Sequence, residues 1–447
     1  MFKRLAILAL LAAPDLARGA DRPPAAPVFP FPVRQTTLEN GLGVISVPFD
    51  SPGIIAYYTV VRTGSRNEVE PGLSGFAHFF EHMMFRGTKK YPQEAYNDEL
   101  KKLGADSNAF TTDDWTCYHM TIPASALAKA VELEADRFQN LEYDEPAFQK
   151  EARAVLGEYN KSASSPFLIL DETMQSTAYA RHTYRHTTIG FLADVKDMPN
   201  QYRYSRTFFD RWYRPEHCSV VVVGDVDHDR LVGLARSAYG SWKRGSATVD
   251  IPSEPEQAGE RTARLAWPSP TLPTLYLGYH VPAADPANPD VSALNALGQA
   301  VFGETSPLYR SLVLDEQKVV TLSSNPDLRR DPGLFAIMAR VRKPAEVAGV
   351  RARIEAALAE AATVPIAPAR LDAIKAHLRY EFAATLDRPD AVAVALGYAI
   401  ALTGRVGSMN ELHAVYDRLQ PADLQRVAAR YFAATNRTVV ILESEAK

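Results

Sequence analysis

Hydrophobic and polar positions change period several times along the chain, and each change marks an element. Residues 41–48 and 54–62 carry apolar, β-branched runs on either side of the turn-rich stretch 50–53, the pattern of a strand pair. Helical periodicity follows over 75–85. Beyond residue 261 the same order returns, with strands over 262–267 and 275–281 and then a helix over 291–302. The two segments also close alike. A helix bearing Phe208, Phe209, Trp212 and Tyr213 runs into a strand over 219–223, and Val427, Tyr431 and Phe432 lead into a strand over 438–442. Matching beginnings and ends predict a duplicated α+β unit, with two unrelated α+β domains in tandem as the alternative. The expected fold is α+β: two homologous α/β sandwich halves, each an antiparallel-rich sheet covered by helices. The Pro-, Glu-, Ser- and Gly-rich stretch 246–261 reads as a linker between a first domain over 30–245 and a second over 262–447.

At 447 residues the chain is too long for one ordinary core, and 46% apolar with 23% charged residues is the balance of a folded globular protein. A net charge of -4 with scattered Lys and Arg offers no footprint for nucleic acid. Lys3 and Arg4 precede an apolar run over 5–13 and then small residues up to Ala20, so residues 1–20 read as a signal peptide cut after Gly19 or Ala20. Export to a periplasm is the expected location. That run is too short to span a bilayer, and no later segment is apolar enough to anchor the mature chain. Cys117 and Cys218 either pair or remain buried free thiols.

The chemistry concentrates in Gly72-Leu-Ser-Gly-Phe-Ala-His78-Phe-Phe-Glu81-His82-Met-Met-Phe. On a helix, His78 and His82 stand four apart on one face, where both imidazoles reach one ion at about 2.0–2.1 Å. Glu81 then lies beside the metal and is free to take a proton from water. A single histidine on an apolar helix is ordinarily a packed core residue. Two at this spacing with a carboxylate, set among Phe79, Phe80, Met83, Met84 and Phe85, are costly to bury unless a metal compensates them.

A catalytic Zn2+ wants a third protein ligand and an open position. A helix over 145–163, with Asp144 as its cap and Pro146 in its first turn, carries Glu151 and Glu158 seven apart on one face. Composition alone leaves either as a solvated surface residue.

The HxxEH order inverts the usual zincin motif and resembles the inverzincins of the pitrilysin, insulin-degrading enzyme and mitochondrial processing peptidase family. Gly64-Ser-Arg-Asn-Glu68, Asn108-Ala-Phe-Thr-Thr-Asp113, the stretch 184–190, Trp212-Tyr-Arg-Pro and Val222-Val-Gly-Asp225 match family segments in the same order. His182 and Arg185 depart from the usual order around 184–190. That family's third ligand is a glutamate roughly 75 residues past the motif, and Glu158 lies 76 past His82. The resemblance therefore implies His78, His82 and Glu158 as metal ligands, Glu81 as the base and Glu151 as a supporting carboxylate. It also implies that the edge strand near Asn108 and Ala109 binds substrate main chain by strand addition, where a solvent-facing edge would be the plain reading.

The implied activity is zinc-dependent hydrolysis of internal bonds in unfolded peptides. Rival readings are a catalytically inactive architectural subunit of the same family and a closed structural zinc site with Cys117 as fourth ligand. The family's second half commonly supplies an Arg and a Tyr that grip the substrate carbonyl. Here those positions fall on Val313 and Val320, which cannot donate a hydrogen bond, with Tyr309 and Arg310 nearby. The resemblance thus implies a homologous, non-identical partner subunit that brings the Arg and Tyr.

Overall fold

The computed structural model describes residues 27–445, so the signal-peptide reading of residues 1–20 lies outside the described residues. In the first half, strands β1 (Arg34–Thr37), β2 (Gly43–Pro48), β3 (Ile54–Val61), β4 (Asp106–Thr111), β5 (Thr116–Pro123) and β6 (Cys218–Gly224) form one sheet in the order β1-β2-β6-β3-β5-β4. In the second, β7 (Arg261–Trp267), β8 (Thr274–His280), β9 (Val319–Pro326), β10 (Leu334–Val341) and β11 (Arg437–Ser444) form another in the order β7-β11-β8-β10-β9. With β1 set aside, the two orders are the same permutation. The parallel pair falls at the same place in each, β2 with β6 and β7 with β11, and the other pairings are antiparallel. This is the duplicated α+β architecture expected from the repeated pattern.

The helices of the first half are α1 (Phe76–Met83), α2 (Gln93–Leu103), α3 (Leu127–Asn140), α4 (Glu145–Ser162), α5 (Pro166–Ala178), α6 (Leu192–Asp197), α7 (Tyr202–Trp212) and α8 (His228–Tyr239). Those of the second are α9 (Pro289–Phe302), the short α10 (Pro307–Tyr309), α11 (Val347–Thr363), α12 (Pro368–Ala384), α13 (Pro389–Thr403), α14 (Ser408–Arg418) and α15 (Pro421–Tyr431). The motif helix is shorter than the periodicity over 75–85 suggests: it ends at Met83 and tightens into a 3₁₀ turn at Met84–Arg86.

Strand β3, Ile-Ile-Ala-Tyr-Tyr-Thr-Val-Val, is apolar at nearly every position because both of its faces are covered. Ile55, Tyr57 and Val61 face the core that holds α1, whereas Ala56, Tyr58 and Val60 face Val392, Leu396 and Ile400 of α13. Thus a helix of the second half closes the back of the first sheet. The exchange is reciprocal, since Leu170, Met174 and Ala178 of α5 pack with Val440 and Leu442 of β11 in the second. The linker expected over 246–261 contains no helix, its last residue Arg261 already opens β7, and Glu254 within it accepts the backbone N–H groups of Ala180, Arg181 and His182. The packed cores are not confined to the stretches 30–245 and 262–447. Helices α5 and α13 cross between halves.

Cys117 of β5 sits opposite Val60 and Cys218 of β6 opposite Val61, so β3 runs between them. Two strand spacings put the thiols about 10 Å apart, beyond disulfide reach, and both are free and buried. Of the two readings open in the sequence, the structure keeps the free thiols. Among the described residues no single helix is long and apolar enough to cross a membrane.

Candidate active site

Gly75 stands at the N-cap of helix α1, with a φ of +93° in the left-handed region, and an added Cβ there would lie 2.6 Å from the Ile189 carbonyl oxygen. No side chain of Gly75 can cap the helix. The carboxylate of Glu68 does so instead, accepting the N–H groups of Gly75 and Ala77 at 2.7 Å each, a favourable charge at the positive helix end. Burial pushes the Glu68 carboxyl above its usual range, against the pull of both backbone bonds. The aromatic side chains Phe76, Phe79 and Phe80 fix the other face of α1 in the core, so the two histidines are directed away from it.

The rings of His78 and His82 lie 4.8 Å apart and nearly perpendicular. Helix α4 crosses α1 and brings its glutamates up to them. Asp144 caps α4, accepting from the Ala147 N–H at 2.8 Å, and Phe148, Ala152, Val155 and Tyr159 bury its inner face. Glu158 Oε2 then lies 3.3 Å from His82 Nε2 and 3.7 Å from His78 Nε2. One donor atom from each of His78, His82 and Glu158 falls within 4.8 Å of the others. A tetrahedral zinc site with bonds of about 2.0–2.1 Å has ligand edges of about 3.3–3.4 Å, so these donors fit Zn2+ in type and in spacing.

The protonation pattern also fits a cation. Burial, and then the neighbouring His82, lower the His78 pKa to about 4, so this imidazole is neutral at pH 7. Its Nδ1 is buried and has no hydrogen-bond partner among the described residues. His82 Nδ1–H donates to Glu151 Oε1 at 2.9 Å, which fixes the tautomer and turns the Nε2 lone pair toward Glu158. The other Glu151 oxygen accepts from Arg86 Nη2, and Arg86 Nη1 donates to Gln93 Oε1 at 2.9 Å. Glu151 is thus a buried carboxylate that orients His82, while Glu158, 44% exposed at its side chain, faces the open side. A cation shared by the three donors would bind this carboxylate and both imidazole Nε2 atoms.

Glu81 is held from a different element. The Thr111 hydroxyl at the end of β4 donates to Glu81 Oε2 at 2.6 Å, leaving Oε1 to act. Burial raises the Glu81 carboxyl above its ordinary value, and the Thr111 bond pulls the other way. Asn108 and Ala109 lie on the same strand, which is the sheet edge, with Asn108 exposed and Ala109 buried. Asn108 Oδ1 accepts the Ala109 N–H at 2.9 Å, so the Asn108 side chain occupies a main-chain donor of the edge where substrate was expected to pair. Cys117 faces the α13 side of the sheet, away from α1, and is not among the converging donors.

The sequence reading missed Thr111, Arg86 and the capping role of Glu68. Thr111 and Glu68 lay within segments quoted for the resemblance, but nothing in their spacing indicated what they touch.

A family model described as Insulinase (Peptidase family M16) matches residues 55–190, and one described as Peptidase M16 inactive domain matches residues 203–378. A zinc protease of Helicobacter pylori, PqqE, is 30% identical over 413 residues, covering 91% of this chain and 92% of the relative. A probable mitochondrial-processing peptidase subunit beta of Schizosaccharomyces pombe is 25% identical over 409 residues, 88% of this chain and 87% of the relative. The crystal structure of a protease from Helicobacter pylori superposes with a TM-score of 0.85 at 31% identity, over 92% of this chain and 99% of that one.

Proposed function

Because this chain belongs to the insulinase family of peptidases, M16, we propose that it is an exported zinc metalloendopeptidase that cleaves unfolded peptides as the catalytic subunit of a heterodimer. The observation that carries the reading is the convergence of His78, His82 and Glu158, with Glu81 held beside them by Thr111. When bound, zinc supplies Lewis acidity, polarising a carbonyl and making water nucleophilic near neutral pH. The chain's own residues do the rest. Glu81 takes a proton from the attacking water at Oε1 as the oxygen adds to the carbonyl carbon, and it returns that proton to the departing amine nitrogen as the C–N bond breaks. Glu151 keeps His82 in its ligating tautomer, and β4 offers an edge along which an extended peptide can lie.

The heterodimer reading rests on the second half. Val313 and Val320, at the positions of the family's Arg and Tyr, are aliphatic and half-buried. Tyr309 packs partly into the second core, and exposed Arg310 lies 3.8 Å from Asp315. No donor of this half is therefore assigned to an oxyanion, and such a donor is worth about 10²–10³ in rate. A homologous partner would bring them. The architectural-subunit alternative is disfavoured because it needs none of the converging donors that this chain keeps.

The test is zinc content and cleavage of a quenched peptide library, measured for the mature chain alone and with its partner. His78→Ala, His82→Ala and Glu158→Gln are expected to lose zinc, whereas Glu81→Gln keeps zinc and loses turnover. A fully zinc-loaded wild type that cleaves nothing with its partner would end the peptidase reading. Full activity of the chain alone would end only the heterodimer.

A further inference from the structure

Equivalent hairpins of the two halves meet across the molecule. The β4–β5 turn (112–115) reads Thr-Asp-Asp-Trp, and the β9–β10 loop (327–333) reads Asp-Leu-Arg-Arg-Asp-Pro-Gly. Duplication alone would make these loops alike, yet the first carries two acids and no base, whereas the second sets two arginines among its two acids. Arg329 Nη2 lies 3.2 Å from Asp113 Oδ2, and its guanidinium stacks 4.6 Å over the Tyr184 ring. The Arg330 N–H donates to Asp114 Oδ2 at 3.0 Å, and its Nη1 donates to the Arg62 carbonyl at 2.9 Å. Asp331 Oδ2 accepts from Arg66 Nε at 2.5 Å and from His182 Nε2 at 2.9 Å.

Both first-half segments lead directly to the active site. Asp113 is two residues from Thr111, which holds Glu81. Arg66 is two residues from Glu68, which caps the motif helix. The two segments are also fastened to each other. Ser65 Oγ donates to Asp113 Oδ1 at 3.1 Å, and the Arg66 N–H donates to the Asp113 carbonyl at 2.8 Å. Gly64 permits this approach, since a Cβ there would lie 2.2 Å from the Thr112 carbonyl oxygen. The side chains are largely withdrawn from water, with Arg329 at 11% and Arg66 at 12% exposure, so their electrostatic attraction is weakly screened and their geometry well defined.

We infer that the β9–β10 loop of the second half positions the catalytic apparatus of the first, with Arg329 and Asp331 as positioning residues for Glu81 and helix α1. The inference rests on the peptidase reading for its effect on turnover, but not for its effect on the order of the site. It assigns the second half a task within its own chain besides any it has in a dimer.

The test uses the full-length mature chain, with its partner where cleavage requires one, and the variants Arg329→Met, Arg329→Lys and Asp331→Asn. In Arg329→Met, kcat is expected to fall about 10- to 100-fold with KM within about twofold, because misplacement of the base affects the transition state more than binding. Arg329→Lys, which keeps a charge against Asp113, should restore most of kcat. Independently of activity, hydrogen–deuterium exchange of the zinc-free chain should accelerate by about tenfold in peptides covering 64–82 and 106–116 and stay unchanged in those covering β7 and α11. Asp331→Asn, which keeps the shape of its side chain, should loosen 64–82 and serves if Arg329→Met does not fold. Unchanged exchange at these segments in the folded variants, or acceleration spread evenly over the chain, would overturn the coupling. If the wild type cleaves no peptide, the peptidase reading fails and the exchange measurement alone decides the positioning.

Discussion

Thr111 shows how much of the site depends on one hydroxyl. Its bond to Glu81 Oε2 at 2.6 Å is the sole hydrogen bond of that carboxylate among the described residues, and it leaves the second oxygen oriented but free. Thr111→Val keeps the volume and removes the donor. Kcat is expected to fall by about 10-fold or more with zinc content unchanged, as read by single-turnover kinetics beside metal analysis. Loss of zinc in this variant would mean that Thr111 shapes the ligands rather than the base. Glu151 differs in kind: it is buried between His82 and Arg86, so its influence on the reaction passes through the tautomer of His82.

Among the elements, α4 carries the greatest responsibility, because one helix supplies both Glu151 and Glu158 to two histidines on another. Its N-terminus is fastened by Asp144 and opened by Pro146, features that act only at the first turn. Asp144→Ala should cost about 0.5–2 kcal/mol of stability, the usual value for a lost cap, measured by urea denaturation. Turnover at low temperature should be retained, since Phe148, Ala152 and Val155 still bury the helix against the core. Loss of zinc without loss of stability would show that the cap sets the direction of α4 itself. Strand β4 is the complementary case: an edge strand held by β5 on one side only, whose Thr111 end holds the proposed base Glu81 and whose Asn108 and Ala109 lie along the path proposed for substrate.

At the scale of the molecule, the halves are joined by exchanged helices and by a charged seam. Asp171 of α5 lies at that seam, and burial first, then the charge on Asp113, push its pKa up to about 6, with Arg329 opposing. A carboxyl raised in the fold favours its protonated form there. The resulting stability is present in full below the unfolded value near 4 and is lost as pH rises through about 6. Asp171→Asn should therefore match the wild type at pH 4 and exceed it at pH 8 by about 1–3 kcal/mol, seen as a higher melting temperature in a pH series. Equal melting temperatures at pH 8 would show that ionised Asp171 is compensated by Arg329.

Helix and strand periods, the Asp144 cap and the His78–His82 spacing are properties of short stretches of chain, and backbone geometry makes them legible without a partner. The duplication was legible for the same reason, since a repeated order of elements needs no knowledge of contacts. Glu151 and Glu158 lie seven apart on one face of α4 and look alike in the sequence. Only the crossing angle of α4 on α1 sends one inward to His82 Nδ1 and brings the other to both Nε2 atoms. Likewise, Thr111 meets Glu81 across 30 residues of chain, the acidic hairpin meets Arg330 across 216, and α5 and α13 leave their own halves to cover the opposite sheet. Such pairings depend on how whole faces bury one another, and no local periodicity records them. The sequence by itself determined the elements and the candidate ligand types, while tertiary packing decided which side chains meet, because contact between distant residues is a property of packed surfaces rather than of spacing along the chain.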